Sequence, residues 1–229
     1  MSGRSDGIVV ADGLASVTPQ RVILVGAASF AEEVSDLAAM AGFEVAAWVE
    51  GLDRSMVDAT HDPPILWVDD QAAFEPALPI LPAIGSVKRM GIVRRLVGEG
   101  RQLATLIHPS AVISPSASIE PGCVVWPLVV VGARSRIGEG TVLNRGALVG
   151  HHTEIGRYSF VGPGANIAGK VTLGEQVHVG IGAVVRDRLH IGDRAVVGMG
   201  AVAVKDVPAD VTVVGIPAAE LRHSSEAGR

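Results

Sequence analysis

Histidine is the residue of this chain best suited to proton transfer, because its ordinary pKa lies close to neutral pH. The 229 residues contain seven histidines, and two of them, His151 and His152, are adjacent within residues 149–156. A histidine held at a binding surface could act as a general base and accept a proton from a reacting group. Taken alone, an exposed histidine is more often a solvated side chain, so its setting decides between the two interpretations.

That setting is a repeat of six residues in the second half of the chain. From Ile107 to Val197 an aliphatic residue recurs at every sixth position, sixteen times without a gap, and a mostly small residue follows each one after four positions. The repeat predicts a left-handed parallel β-helix, rather than an ordinary Val- and Gly-rich sheet, with the aliphatic side chains inside and three hexads in each coil. Glycine often follows the aliphatic residue directly, and there we expect it to permit the turn. In this register His151 lies outside, near a corner, and Gly169 lies one coil above it.

The residues before the β-helix show alternating strand and helix patterns, which predict a small parallel sheet with helices on its faces. The predicted elements are residues 21–26, 29–42, 43–49, 80–84 and 87–96. The fold class is therefore mainly β, a β-helix preceded by a small Rossmann-like α/β domain. The predicted organisation is a flexible leader (1–18), the Rossmann-like α/β domain (19–105), the β-helix (106–218) and a C-terminal tail (219–229).

The charge and the cysteine content argue against nucleic-acid and membrane partners and against a need for an oxidising compartment. Nineteen Lys and Arg against 24 Asp and Glu give a net charge of −5, which provides no counterion-release drive toward nucleic acid or an anionic membrane. The most apolar run, residues 122–133, is too short to span a bilayer, and residues 1–17 lack the unbroken apolar stretch of a signal peptide. Cys123 is the single cysteine, so the chain cannot build a disulfide framework and a cytoplasmic location is expected.

The repeat is similar to that of the hexapeptide-repeat acyltransferases, and features around it resemble the NeuD/PglD-type sugar acetyltransferases. These features are the glycine after the first strand, Pro-Ala-Ile-Gly at 82–85 before a basic helix, Leu-Ile-His-Pro-Ser at 106–110, the uninterrupted β-helix and Val-Gly-Ile-Pro at 214–217. The resemblance covers about residues 20–218. It implies a homotrimer that holds acetyl-CoA in a groove between adjacent β-helices. It also implies acetylation of a sugar or a nucleotide-linked amino sugar by direct transfer in a ternary complex.

The resemblance assigns roles to three residues of the β-helix. Residues 149–156 match the family segment whose first histidine is the general base, which is His151 here. Gly169 matches the family's oxyanion donor, whose backbone N–H polarises the thioester carbonyl. Asn144 matches a polar position near that site, although capping of a corner explains this residue equally well.

Two positions depart from the family pattern. His152 stands where the family usually has Asp or Glu, whose carboxylate fixes the tautomer of the catalytic imidazole. Either Glu154 or Asp187 replaces that carboxylate, or the catalytic histidine is a weaker base. Phe160 stands where relatives often have a histidine that touches the acetyl group, and His178, one coil higher, is a conceivable partial substitute.

The cofactor groove of the family maps to two stacked corner positions and the C-terminal segment, with Gly169 at its inner end. The matching residues are Ile181, Met199, Ile216 and Pro217. Plain coil surface explains them as well. Positive side chains that could meet the cofactor's phosphates are Lys170, Arg186, Arg188 and Lys205, for which a solvated basic face is the commoner explanation. No metal is expected.

Acceptor recognition is expected in the N-terminal domain. The predicted residues are Gly26, Ser29, Glu50 and Gly85. Relatives have a Gly-rich turn with an embedded histidine after the first strand, where backbone amides hold phosphates. This chain keeps Gly26 there and has Phe30 in place of the imidazole, while Ser29 could cap the following helix. The departures leave open the identity of the acceptor, the choice between N- and O-acylation, and the acyl chain.

Two alternatives of other classes stay open at this point. A trimeric β-helix that binds or scaffolds without catalysis is motivated by the departures at His152, at Phe160 and in the Gly26 turn. A zinc lyase resembling γ-type carbonic anhydrase would need three converging imidazoles. The position two coils above His151 is Asp187 and not a histidine, which disfavours this second alternative.

Overall fold

A computed structural model describes residues 19–70, 75, 77–83 and 87–221. The predicted leader, Gly85 and residues 222–229 of the predicted tail lie outside the described residues. The described part has a small α/β region followed by a long parallel β-helix, so the predicted fold class is confirmed.

The N-terminal region is a parallel sheet with two helices. Its elements among the described residues are β1 (Gln20–Val25), α1 (Ser29–Met40), β2 (Phe43–Glu50), β3 (Ile65–Trp67), β4 (Ile80–Pro82) and α2 (Val87–Gly98), with a 3₁₀ turn at Arg54–Met56. The strand order is β3-β2-β1-β4 and every pairing is parallel. β3 was not predicted, because three residues are too few to show a period.

The turn between β1 and α1 differs from its prediction. The N-cap of α1 is Ala28, with φ −103° and ψ −179°, and no side chain caps the helix there. Capping by Ser29 is therefore wrong, because Ser29 is already the first helical residue and its side chain is exposed. Gly26 has φ +134°, and a Cβ at this position would lie 2.4 Å from the carbonyl oxygen of Ala83. Close packing of the β1 and β4 ends thus requires a glycine there.

Short strands form the three faces of the β-helix. The face next to the N-terminal region, named the covered face, contains β5 (Leu106–Ile107), β8 (Val124–Val125), β11 (Val142–Leu143), β14 (Phe160–Val161), β17 (His178–Val179), β20 (Val196–Val197), β22 (Thr212–Val214) and β23 (Ala219–Glu220). The apolar face contains β6 (Val112–Ile113), β9 (Val130–Val131), β12 (Leu148–Val149), β15 (Asn166–Ile167), β18 (Val184–Val185) and β21 (Val202–Ala203). The charged face contains β7 (Ser118–Ile119), β10 (Arg136–Ile137), β13 (Glu154–Ile155), β16 (Thr172–Leu173) and β19 (His190–Ile191).

The strands stack in the predicted register. Each coil pairs in parallel with the residue eighteen positions later, as Val142 does with Phe160 and Phe160 with His178. The aliphatic hexad residues from Ile119 to Val197 are all buried. Each contributes about 1.5–3 kcal/mol of hydrophobic stabilisation, so the repeat accounts for the core of this domain.

The glycine after each aliphatic residue has a different role from the one predicted. A Cβ at Gly150 would lie 2.5 Å from the backbone nitrogen of Gly169 in the next coil, so this position needs glycine for close stacking of coils. The left-handed turn conformation falls two residues later, as at His152 with φ 55°. The prediction that the first glycine permits the turn is wrong for this reason.

The three corners are named by their residues. The glycine corner, between the covered and apolar faces, contains residues 126–129, 144–147, 162–165, 180–183 and 198–201. The histidine corner, between the apolar and charged faces, contains residues 132–135, 150–153, 168–171 and 186–189. The third corner contains residues 138–141, 156–159, 174–177 and 192–195. At the glycine corner the left-handed position is mostly glycine, whereas at the histidine corner it is Arg134, His152, Lys170 and Arg188.

The N-terminal region packs directly on the lower coils of the covered face. The ring of Phe30 in α1 lies 5.4 Å from that of Trp126, and Glu33 of the same helix forms an ion pair with Arg145 at 3.4 Å. Arg94 of α2 lies over the ring of Tyr158 at 4.6 Å. One continuous buried cluster joins the sheet to the coils, so the first helix is held against the glycine corner.

At the other end, the described chain closes with a hairpin. β22 pairs in parallel with β20, and β23 pairs antiparallel with β22. Within the part of the chain that the structure describes, neither helix has the length and apolar character required to cross a membrane.

Candidate active site

His151 lies in the turn of the histidine corner that joins β12 to β13. Its side chain is exposed, and its backbone is fixed from the coil above, because Lys170 donates its N–H to the His151 carbonyl at 2.8 Å. His152 is fixed from below in the same way and donates its N–H to Ala133 at 2.8 Å. The sequence therefore folds this turn so that an imidazole is presented outward from a rigid support.

The imidazole of His151 lies against Gly169. A Cβ added to Gly169 would lie 2.7 Å from Nε2 and 2.9 Å from Cε1 of His151, which is closer than real side chains approach. The two residues predicted from stacking to be neighbours are neighbours in the structure. The absence of a side chain at Gly169 leaves the room in which the His151 imidazole lies.

Hydroxyl groups inside the corner orient the peptide units of the site. Thr153 is fully buried, and its hydroxyl donates to the carbonyl of Ala168 at 3.0 Å; Ser135 likewise donates to the carbonyl of Gly150 at 2.8 Å. Because C=O and N–H point in opposite directions across a trans peptide, an inward Ala168 carbonyl turns the Gly169 N–H outward. Sequence reasoning missed both hydroxyl residues, although polar residues at small interior positions were a visible signal.

His151 and His152 form a hydrogen-bonded pair. Their Nδ1 atoms are 2.9 Å apart and their rings are perpendicular, with centroids at 5.1 Å and an angle of 89°. The pKa of His152 lies below its usual value, first because of partial loss of solvation and then because of the positive fields of His151, Arg134 and Lys170. His152 therefore stays neutral near pH 7.

Glu154 and Asp187 were the predicted replacements for the family's Asp or Glu. Among the described contacts, neither carboxylate touches the His151 ring. Glu154 pairs with Arg136 at 3.3 Å across the charged face. Asp187 lies 3.5 Å from its neighbour Arg188. The side chain that contacts Nδ1 of His151 is His152.

Asn144 lies at the glycine corner, so within one chain a whole face separates it from His151. It is 3% exposed, and its Oδ1 accepts the backbone N–H of Arg145 at 2.7 Å. This is the corner cap that the sequence allowed. Trp126, one coil below, and Arg145 place an aromatic ring and a cation beside it, with Arg145 5.5 Å from the Trp126 ring. Sequence reasoning missed these two residues; a Trp where many hexads have glycine was the available signal.

The predicted cofactor residues divide between two corners. Ile181 and Met199 are exposed at the glycine corner, Met199 by 76%, and Ile216 beyond β22 is 77% exposed, next to an exposed Pro217. Lys205 is exposed where the chain leaves β21, on the side of the histidine corner. The apolar face lies between the two corners, and its outward side chains Val112, Val130, Leu148 and Val184 are exposed.

The predicted acceptor residues of the N-terminal region do not form one cluster. Gly26 is buried between strand ends, and Ser29 is exposed at the start of α1. Glu50 is fully buried, where its Oε1 accepts the N–H of Gly51 at 3.0 Å and of Leu52 at 2.8 Å. This carboxylate organises the loop after β2.

Two further predictions concern the covered face and metals. Phe160 and His178 stack as expected, with ring centroids 4.9 Å apart and planes within 9°, and burial lowers the pKa of His178. Both lie on a different face from His151.

The residues that the structure describes include no group of three or more His, Cys, Asp or Glu side chains placed to hold a metal ion.

The fold and this site can be compared with known proteins. A family model described as the GMPPB C-terminal domain matches residues 105–202. A solved structure of a histidine-to-asparagine variant of perosamine N-acetyltransferase from Caulobacter crescentus, in complex with CoA and GDP-perosamine, is 31% identical with a TM-score of 0.81, covering 91% of this chain and 100% of that chain.

Two further structures match over a similar extent. The acetyltransferase domain of PglB from Neisseria gonorrhoeae FA1090, in complex with acetyl coenzyme A, is 30% identical with a TM-score of 0.80, over 89% of this chain and 100% of that one. WeeI from Acinetobacter baumannii AYE is 30% identical with a TM-score of 0.77, over 88% of this chain and 100% of that one. Because these matches include both the N-terminal region and the β-helix, the chain belongs to the NeuD/PglD-type sugar acetyltransferases of the hexapeptide-repeat family.

Proposed function

We propose that this protein transfers the acetyl group of acetyl-CoA to an amino group of a sugar carried by a nucleotide, with His151 as the general base. The observation that carries the proposal is the contact of the His151 imidazole with Gly169, in a family of acetyltransferases. Perosamine N-acetyltransferase, a relative over 91% of this chain, has been solved with CoA and GDP-perosamine, which favours a nucleotide amino sugar as acceptor.

In the proposed reaction both substrates are bound together. The amine nitrogen of the acceptor forms a bond to the thioester carbonyl carbon while Nε2 of His151 takes one of its protons. The outward N–H of Gly169 donates to the oxygen on which negative charge develops. The carbon–sulfur bond then breaks, and the proton held by His151 passes to the departing thiolate.

The hydrogen bond of Thr153 supports the assignment of Gly169 as the oxyanion donor. An oxyanion donor acts through its fixed orientation, because no energy is then spent on turning it during the reaction. The buried Thr153 hydroxyl holds the Ala168 carbonyl at 3.0 Å, and this fixes the peptide whose N–H belongs to Gly169. The matching hydrogen bond from Ser135 to Gly150 orients the peptide that precedes His151.

The cations of the histidine corner suit the phosphates of the cofactor. Lys170 adjoins Gly169, Arg188 lies one coil above it, and Lys205 continues on the same side of the β-helix. All three side chains are exposed. Phosphate groups bind such charged donors through short, charge-assisted hydrogen bonds.

A homotrimer with the cofactor between subunits forms part of the proposal. Asn144, Ile181, Met199 and Ile216 lie at the glycine corner, whereas His151 and Gly169 lie at the histidine corner. The exposed apolar face between these corners is suited to burial against a second copy of the chain. Contact along that face would bring the glycine corner of one subunit toward the histidine corner of the next.

The acceptor is proposed to bind at the N-terminal region. The start of α1 packs on the glycine corner through Phe30 and Trp126, one coil below Asn144. In the trimer described above, this surface would adjoin the histidine corner of a neighbouring subunit. Glu50 would then act through the loop that it organises.

A mass-spectrometric screen tests the proposed function. Acetyl-CoA is incubated with the protein and with GDP-perosamine, other nucleotide amino sugars and free amino sugars, and the expected result is an acceptor heavier by one acetyl group. His151→Ala should lower turnover by about 100-fold or more, because a general base contributes that much. His190→Ala, on the charged face, is the matched control and should keep its rate. An active His151→Ala variant would remove this residue from the mechanism.

A further inference from the structure

The hydrogen bond between His151 and His152 joins two atoms of the same kind. The Nδ1 atoms are 2.9 Å apart, so one of them must carry the hydrogen and the other must offer its lone pair. If both carried a hydrogen, the contact would break. The pair therefore couples the tautomer of one ring to the tautomer of the other.

The surroundings favour a neutral His152. His152 lies at a left-handed turn position with φ 55°, between Arg134 one coil below and Lys170 one coil above. These two cations and the adjacent His151 disfavour a positive charge on His152. Among the described contacts, the nearby carboxylates Glu154 and Asp187 face other partners, Arg136 and Arg188. His152 is therefore neutral, and it can accept the hydrogen bond in the tautomer that carries its hydrogen on Nε2.

We propose that His152 is a positioning residue that accepts the Nδ1–H of His151 and so keeps the lone pair of His151 on Nε2, the atom that lies beside Gly169. This inference rests on the proposed function, because it takes His151 as the base. A neutral imidazole would perform the orienting part of the role for which relatives use a carboxylate, without the negative charge.

The missing charge has a chemical consequence. When Nε2 of His151 takes the acceptor's proton, the ring becomes a cation whose Nδ1–H still donates to His152. A carboxylate at that position would stabilise the cation, whereas a neutral ring beside Arg134 and Lys170 does so much less. The imidazolium that forms on His151 during the reaction therefore lacks the stabilisation that a carboxylate at residue 152 would supply.

Three substitutions at His152 separate orientation from charge without disturbing the turn. Asn, Gly and Asp all tolerate the left-handed conformation, so each variant should fold. His152→Asn keeps a neutral acceptor, His152→Gly removes the acceptor, and His152→Asp adds a negative one. Two properties are measured in each: kcat and KM with GDP-perosamine or the best acceptor of the screen, and the pH dependence of His151 modification.

The modification requires no acceptor. Diethyl pyrocarbonate reacts with the unprotonated imidazole, and peptide mass spectrometry reports the extent at His151 as a function of pH. His190, exposed at the start of β19 and two coils above Glu154, is the internal reference for the reagent. This measurement gives the protonation midpoint of His151 in the whole protein.

The inference predicts a distinct result for each variant. His152→Gly should lower kcat by about 10-fold or more, while the KM for acetyl-CoA changes little, because orientation of the base acts on the chemical step. His152→Asn should recover most of that loss. His152→Asp should raise the protonation midpoint of His151 by about one pH unit relative to His152→Asn, since an adjacent negative charge favours the imidazolium.

Failure of this inference can be told from failure of the proposed function. Equal kcat in His152→Gly and His152→Asn, in an enzyme that His151→Ala inactivates, would overturn the positioning role alone. Equal modification midpoints in His152→Asp and His152→Asn would show that the Nδ1 contact does not exist in solution. Absence of acetyl transfer by the wild-type protein to every acceptor would instead overturn the proposed function.

Discussion

The histidine corner and the glycine corner form the same type of turn with different residues. Both need a left-handed backbone at the third position after the aliphatic residue. The glycine corner uses Gly146, Gly164, Gly182 and Gly200, whereas the histidine corner uses Arg134, His152, Lys170 and Arg188. A side chain in this conformation costs about 1 kcal/mol relative to glycine. The histidine corner thus keeps polar side chains at positions where stability alone would favour glycine, as the third corner does at Tyr158, Gln176 and Arg194. What distinguishes the histidine corner is that its column of side chains adjoins His151.

The largest expected effect comes from a methyl group at the histidine corner. Gly169→Ala should lower kcat by about 100-fold, because its Cβ would displace the imidazole that now lies 2.7 Å from that position. The fold should survive, since the nearest atoms are those of the His151 side chain. Gly164→Ala at the glycine corner is the control for backbone strain: its φ of +64° should cost about 1 kcal/mol of stability, and the His151–Gly169 contact stays intact. Steady-state kinetics and urea unfolding of both variants make the comparison.

Loss of one buried hydroxyl should have a smaller effect. Thr153→Val keeps the shape of the side chain but removes the hydrogen bond to Ala168, so the Gly169 N–H loses its fixed orientation and kcat should fall by about 10-fold. Thr141→Val removes the equivalent bond to Gly156, 3.2 Å long, at the third corner. Both variants should lose about 1–3 kcal/mol of stability. A similar fall of kcat in the two would contradict a special role for the Thr153 peptide.

A smaller effect still is expected for a cation of the histidine corner. Lys170→Gly should raise the KM for acetyl-CoA by about 3- to 10-fold through loss of a phosphate contact, with kcat nearly kept. The same change should raise the free energy of unfolding by up to about 1 kcal/mol, because φ at Lys170 is 61°. Gln176→Gly, with φ 58° at the third corner, should give the gain in stability alone. An unchanged KM in Lys170→Gly would place the phosphates elsewhere.

The smallest expected effect is the pH dependence of stability that comes from His178 on the covered face. Burial lowers the pKa of His178, so below its unfolded pKa of about 6.5 the unfolded chain binds a proton that the folded protein resists. The free energy of unfolding contributed by this site is therefore greatest above pH 6.5 and falls as pH drops toward the folded pKa. His178→Gln should flatten the stability between pH 7 and pH 5, measured by urea unfolding. His190→Gln, at an exposed position of the charged face, is the control for a histidine-to-glutamine change outside the covered face.

The sequence predicted the parts of this molecule that depend on a fixed period. Eighteen residues per coil place Gly169 above His151, and His178 above Phe160, before any coordinates are known. The buried core of the β-helix was predicted from the same repeat, because each aliphatic hexad residue points inward. A solenoid is favourable for such reasoning, since neighbours in space are neighbours in the repeat.

The remaining features depend on individual dihedral angles and contacts. The 2.9 Å contact of the two imidazoles requires the left-handed φ of His152, and the sequence assigned that conformation to the preceding glycine. The Thr153 hydrogen bond depends on which carbonyl turns inward. In the N-terminal region, Ala28 and not Ser29 is the N-cap, and β3 was too short to recognise. None of these features follows from a period or from composition.

A crystal structure of the wild-type protein with CoA tests the central claim most directly, because it does not require knowledge of the acceptor. The account predicts that the CoA sulfur lies beside Nε2 of His151 and the N–H of Gly169, with the phosphates toward Lys170 and Arg188. Binding of CoA with its sulfur at the charged face or the third corner, away from His151, would contradict the account.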